Sequence, residues 1–108
     1  MKKIETLITP SKVDVVKEAL TKSGVKGITF SEVRDYGHHA GHIGHYRGSE
    51  YAVDLSPEVK IEVVVEDDKV KQVTDTVIAA LVQSGRLEDG EIFILPMDAV
   101  LHIRGSMR

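Results

Sequence analysis

Apolar and polar residues alternate most strictly between Val59 and Val65, where Val59, Ile61, Val63 and Val65 are separated by Lys60, Glu62 and Val64. That period of two predicts a strand with one face for the core and one for water or a ligand. Three other extended runs are legible. Lys3–Thr9 alternates loosely and stops at Pro10, Gly27–Val33 is β-branched and aromatic, and Ile92–Leu95 is continuously apolar and ends at Pro96. Val100–Ile103 reads as a further extended piece. Between them the period changes to that of a helix. Val13, Val16 and Leu20 form one stripe, with Lys12, Lys17, Glu18 and Lys22 on the solvated side, Ser11 as N-cap, Asp14 in the first turn and Gly24 as a left-handed C-cap. Val70, Val73, Val77 and Leu81 form a second stripe, with Asp67 or Asp68 as cap and Gly85 as terminator.

The order is β-α-β-loop-β-α-β with a terminal β piece, the split βαβ arrangement of an α+β, ferredoxin-like sandwich. Residues 1–108 form a single domain, in which two helices cover one face of a four-stranded sheet. The other face stays open in a monomer, so association with further copies is the direct way to bury it.

Composition narrows the function. A net charge of −3 gives no electrostatic footprint for nucleic acid, and the absence of cysteine excludes disulfides, thiolate metal sites and cysteine nucleophiles. Lys2, Lys3 and Glu5 interrupt any signal-peptide core, and no apolar run approaches the ~18 residues of a membrane span. A cytoplasmic protein without direct membrane insertion is expected.

The segment between the second and third strands, roughly 37–57, is longer than the ~12–15 residues beyond which a connection is usually a binding loop or a lid. It holds four of the five histidines, two of the three tyrosines, and Arg47 between Tyr46 and Gly48. His38, His39, His42 and His45 have imidazoles suited to Zn, Cu or Ni, and 38, 42 and 45 share a face if helical, whereas Gly37, Gly41 and Gly44 oppose a stable helix. A solvated histidine-rich loop, a metal site and a pH or anion sensor all remain open readings. Metal-assisted hydrolysis lacks a placed base or nucleophile, and no enzyme is expected.

Three groups of residues resemble the PII nitrogen-regulatory signal proteins over essentially the whole chain. The first runs from Tyr46 to Tyr51 and continues through Val53, Asp54, Pro57 and Val59–Val65. The second is Gly85–Phe93, and the third joins Met1–Ile4 and Pro10 to Gly27–Thr29 and Gly37. The resemblance implies a homotrimer whose inter-subunit clefts bind an adenine nucleotide (ATP, ADP or AMP). It also implies a T-loop (37–57) that engages a target such as a membrane transporter or metabolic enzyme, and a B-loop (84–91). By the same resemblance, nucleotide contacts fall to Leu7, Thr29, Gly37, His38, Glu62, Val64, Arg86, Gly90, His102 and Arg104. Arg47 and Tyr51 become the residues for partner contact or for uridylylation.

The departures from the family pattern cluster on the effector side. Where most members have the glutamine that helps hold Mg and 2-oxoglutarate, this chain has His39, and the lysine that pairs with a 2-oxoglutarate carboxylate is Glu58. The B-loop glycine is Glu88, the lysine after the next glycine is Glu91, an arginine ahead of His39 is His38, and the first of two C-terminal arginines is His102, while Arg104 stands. An anion in place of a cation repels a dianion. The expectation is therefore loss of high-affinity 2-oxoglutarate binding in the usual geometry, together with weaker ATP binding, a preference for ADP or AMP, or another ligand altogether; Mg and a transition metal both stay open as ions of the site. The alternative reading is a divergent PII-like sensor of metal, of an anion such as bicarbonate, or of pH.

Overall fold

In the computed structural model of the chain, residues 1–36, 55–84 and 90–103 are described. The elements are β1 (Lys2–Ile8), α1 (Val13–Lys22), β2 (Thr29–Tyr36), β3 (Leu55–Val65), α2 (Val70–Gln83) and β4 (Glu91–Pro96). The strands form one antiparallel sheet in the order β2-β3-β1-β4. This is the ferredoxin-like α+β fold that the alternation of periods predicts.

The core follows the phase of each pattern. Ile4 and Ile8 of β1 and Ile61 and Val63 of β3 are buried against Val16 and Leu20 of α1 and Val73, Val77 and Ala80 of α2. Val13, Val70 and Leu81 pack on its margin. Both helical stripes therefore face the sheet as their 3.6-residue spacing requires.

The helix starts differ from expectation. Ser11 does not cap α1: Pro10–Lys12 is a 3-10 turn closed by the Lys12 N–H on the Thr9 carbonyl at 3.0 Å, and the α-helix begins at Val13. The Thr9 carbonyl thus accepts a first-turn N–H in the place expected of the Ser11 hydroxyl. The same device, Asp67–Lys69 with the Lys69 N–H on Glu66 at 2.9 Å, precedes α2. Neither aspartate caps there; the Asp67 carboxylate accepts instead from the amino terminus of Met1 at 2.6 Å and from Lys2 at 3.4 Å. The end of α1 is as the glycine predicts. Gly24 has φ +96°, its N–H reaches the Thr21 carbonyl, and the Val25 N–H reaches Leu20, both at 3.1 Å. These two bonds make a Schellman close that an L-residue at position 24 would strain.

Strand boundaries shift in ways the backbone explains. β2 starts at Thr29 rather than Gly27, whose φ of +59° is outside the extended region. It runs on to Tyr36 because β3 begins at Leu55, inside the expected loop limit of 57, and pairs with it throughout. Pro57 sits in β3 beyond the reach of β1, whose pairing stops at Ile8 with Val59. With a neighbour on one side only, a residue lacking an N–H is tolerated. The expected terminal β piece is absent: Val100–Ile103 are irregular, and Leu101 and Ile103 are 89% and 96% exposed. No strand of the sheet extends to pair with them among the described residues.

Candidate functional site

The register assembles a surface on the sheet face away from the helices. Thr29 of β2 lies opposite Glu62 of β3, which lies opposite Glu5 of β1, itself opposite Phe93 of β4. The next row is Val64, Lys3 and Leu95, and the row on the other side is Ser31, Lys60, Leu7 and Glu91. Side chains in one row stand on one face, so Thr29, Glu62 and Val64 are brought together by pairing alone. Val64 and Phe93 are exposed, and Leu7 and Glu62 are half-buried.

Lys3 ties the middle of this surface. Its Nζ is 3.2 Å from Oε2 of Glu5 and 3.4 Å from Oε2 of Glu62. The Lys3 ammonium holds the Glu5 carboxyl below its ordinary value against the opposing effect of burial, and the two glutamates in turn raise the Lys3 pKa.

Gly90 stands where β4 begins. A Cβ built there would come within 3.2 Å of the Leu7 carbonyl oxygen and in ordinary contact, 3.5 Å, with Ile8 Cγ2, so a side chain at this position would crowd the β1 backbone. A cavity of about 320 Å³ beside it is lined by Thr6, Ile78, Leu81, Gly90 and Ile92 among others. A second, of about 370 Å³, lies where the 3-10 turn meets the β2–β3 pair, with Pro10, Glu32, Arg34, Pro57 and Glu58 in its wall.

Two charged residues are buried contrary to the sequence pattern. Lys12, assigned to the solvated side of α1, is 8% exposed, and its Nζ donates to Ser84 Oγ at 2.6 Å. Ser84 Oγ in turn donates to the Leu81 carbonyl at 2.8 Å. The ammonium therefore rests at the C-terminal end of α2, where the helix dipole favours a cation. Lysines on helical stripes ordinarily point outward, and only its place ahead of the first α-helical residue hints otherwise. Glu58, next to Val59, is 6% exposed although strict alternation would turn it away from the core. Among the described residues no buried side-chain nitrogen or oxygen lacks a hydrogen-bond partner.

Of the remaining sequence-derived site residues, His102 is exposed in the irregular segment after β4 and is not brought to the Thr29–Glu62–Val64 surface by any strand pairing. Gly37, His38, His39, His42, His45, Arg47, Tyr51, Arg86, Glu88 and Arg104 lie outside the described residues. Among those described, no group of three or more His, Cys, Asp or Glu could hold a metal ion, and no helix is long and apolar enough to cross a membrane.

Comparison with known proteins completes the picture. The family model for nitrogen regulatory protein P-II matches residues 1–107. The chain is 49% identical over 104 residues to the nitrogen regulatory protein P-II of Azospirillum brasilense, covering 96% of this chain and 92% of the relative. With the same coverage it is 47% identical to that of Nostoc punctiforme and 47% identical to nitrogen regulatory protein P-II 1 of Escherichia coli K12. A match of that extent, on a ferredoxin-like sheet, establishes that this chain belongs to the P-II nitrogen regulatory family of signal proteins, which are regulators rather than enzymes.

Proposed function

We propose that this P-II protein acts in the cytoplasm as a homotrimer that binds an adenine nucleotide in its inter-subunit clefts and regulates a target protein through the 37–57 loop. The observation that carries the reading is the alignment of Thr29, Glu62 and Val64 on adjacent rungs of the open face. These are the positions that the family resemblance assigns to nucleotide contact. The tight seat of Gly90 against Leu7 supports it, because both residues carry the same assignment. The exposed Phe93, Leu95, Val100 and Leu101 supply apolar area for further subunits to cover.

The nucleotide is ADP or AMP in preference to ATP, since Glu88, Glu91 and His102 replace residues that would meet phosphate charge. 2-Oxoglutarate is not the effector in its usual geometry, because the position of its lysine partner is the buried Glu58. The target is a membrane transporter or an enzyme of nitrogen or carbon metabolism, with Arg47 and Tyr51 as the contact or modification residues.

Thermal unfolding with ATP, ADP, AMP, Mg and 2-oxoglutarate tests this reading, since a ligand bound at a hundred times its Kd stabilises the folded state by about 2.7 kcal/mol. A rise in Tm with ADP or AMP that exceeds the rise with ATP supports it. Strong joint stabilisation by Mg-ATP and 2-oxoglutarate refutes the effector assignment, and no response to any nucleotide refutes the whole. A second reading, sensing of metal, bicarbonate or pH through His38, His39, His42 and His45, is favoured by the concentration of imidazoles there. Calorimetric titration of the tag-free protein with Zn, Cu and Ni decides it by the presence or absence of a saturable heat.

A further inference from the structure

We propose that Lys3 is a positioning residue of the open face, whose ammonium bridges Glu5 and Glu62 and so holds the Glu62 carboxylate fixed for a hydrogen-bond donor on the nucleoside part of a ligand. The register poses the problem that Lys3 solves. Glu5 and Glu62 are directly opposed across β1 and β3, and like charges directly opposite one another destabilise a sheet. Lys3 stands one rung along on the same face, opposite Val64, and reaches Oε2 of both carboxylates at 3.2 and 3.4 Å. All three side chains are partly buried, where water screens them less than at an open surface.

The bridge leaves two carboxylates to one ammonium, so the cluster keeps a surplus negative charge. Lys3 engages one oxygen of each glutamate, and an ionised carboxylate retains acceptor capacity on its second oxygen. The surroundings suit a neutral donor group. Thr29 from β2 and the apolar Phe93 and Leu95 from β4 flank the cluster, with Lys60 of β3 and Glu91 of β4 charged in the next row and Asp35 of β2 farther along the same face. An N–H of the base or a hydroxyl of the ribose fits such an acceptor, whereas a phosphate does not. The identity of this ligand rests on the adenine-nucleotide reading above; the bridge does not.

The full-length chain and its Lys3→Met and Lys3→Arg variants are compared by calorimetry with adenosine and with ADP, and by carbon-detected NMR titration of the Glu5 carboxyl. In Lys3→Met, both ligands bind about tenfold more weakly, as loss of one charge-assisted hydrogen-bond network entails. The Glu5 carboxyl in the same variant titrates at higher pH once its cation is gone. Lys3→Arg restores both properties. Lys3→Gln serves in place of Lys3→Met should the latter not fold. An unmoved Glu5 titration overturns the bridge. A loss confined to ADP, with adenosine unaffected, overturns the nucleoside assignment. Failure of the wild-type chain to bind either ligand overturns the nucleotide reading and the ligand half of this proposal, and leaves the NMR result to judge the bridge alone.

Discussion

The two faces of the sheet use the same four strands and obey opposite rules. On the helix side Ile4, Ile8, Ile61 and Val63 meet Val16, Leu20, Val73 and Val77 in a closed apolar core. On the other side Lys3, Glu5, Lys60 and Glu62 are set among Leu7, Val64, Phe93 and Leu95. The first face is finished within one chain; the second presents charged side chains bordered by exposed apolar groups. Stability and recognition are therefore interleaved residue by residue along β1 and β3. A change at one position strikes the fold, and a change at the next strikes the surface.

Substitutions on the two faces should therefore behave differently. Leu20→Ala, in the closed face, is expected to lower stability by about 2–5 kcal/mol in urea unfolding, since the cavity it leaves is walled by rigid neighbours. Glu62→Gln, on the open face, is expected to shift the same midpoint far less, and equal losses would show that the faces are not separate. Ser84→Ala removes an acceptor from the buried Lys12 ammonium and should cost about 1–3 kcal/mol, measured in the same way. Gly24→Ala is expected to cost about 1 kcal/mol, because its φ of +96° strains any residue with a Cβ even though no atom lies in the way.

Acid titration probes the charged surface. The Glu5 pKa is held below its ordinary value of 4.5 by Lys3, so its folded state binds the proton less readily than the unfolded chain. Glu5 therefore contributes stability that is fully present above about pH 4.5 and is lost as pH falls through the lower folded value. Asp67, lowered by the amino terminus and Lys2, acts in the same sense below 3.8. Glu5→Gln should flatten the fall in Tm below pH 4.5 and leave the neutral range little changed. The smallest effect belongs to Lys71→Ala. Its exposed 2.7 Å pair with Asp75 on α2 should be undetectable in the unfolding midpoint at physiological salt.

The sheet was legible because its information is periodic. Val59–Val65 can be buried on one side only as a strand, and Val16 and Leu20 only as a helix. What escaped was set by ends and neighbours instead. Ser11 was a reasonable cap until the Thr9 carbonyl took the Lys12 N–H, and Asp67 was another until the chain's first residue came to lie beside it. Val100–Ile103 has the composition of a strand but no strand to join among the described residues, and composition does not supply a partner. The site divides along the same line. Thr29, Glu62 and Val64 fell together because register is a consequence of alternation. The Lys3 bridge depends on which long side chain leans towards which carboxylate, and the burial of Lys12 on where α2 ends; neither is written in a local pattern.

The unequal lengths of the strands carry a mechanical meaning. β1 leaves the sheet at Ile8, opposite Val59, yet β2 and β3 continue together through Val33–Glu58, Arg34–Pro57, Asp35–Ser56 and Tyr36–Leu55. At roughly 3.3 Å per residue those four rungs make a two-stranded extension of about 13 Å beyond the four-stranded part of the sheet. A two-stranded ribbon twists more freely than a sheet, so a small rotation at its root is magnified at its far end. The root is where Glu58 is buried and where Pro10, Glu32 and Arg34 wall a cavity. That cavity thus lies where the sheet narrows from four strands to two, at the fulcrum of the ribbon beside Val59.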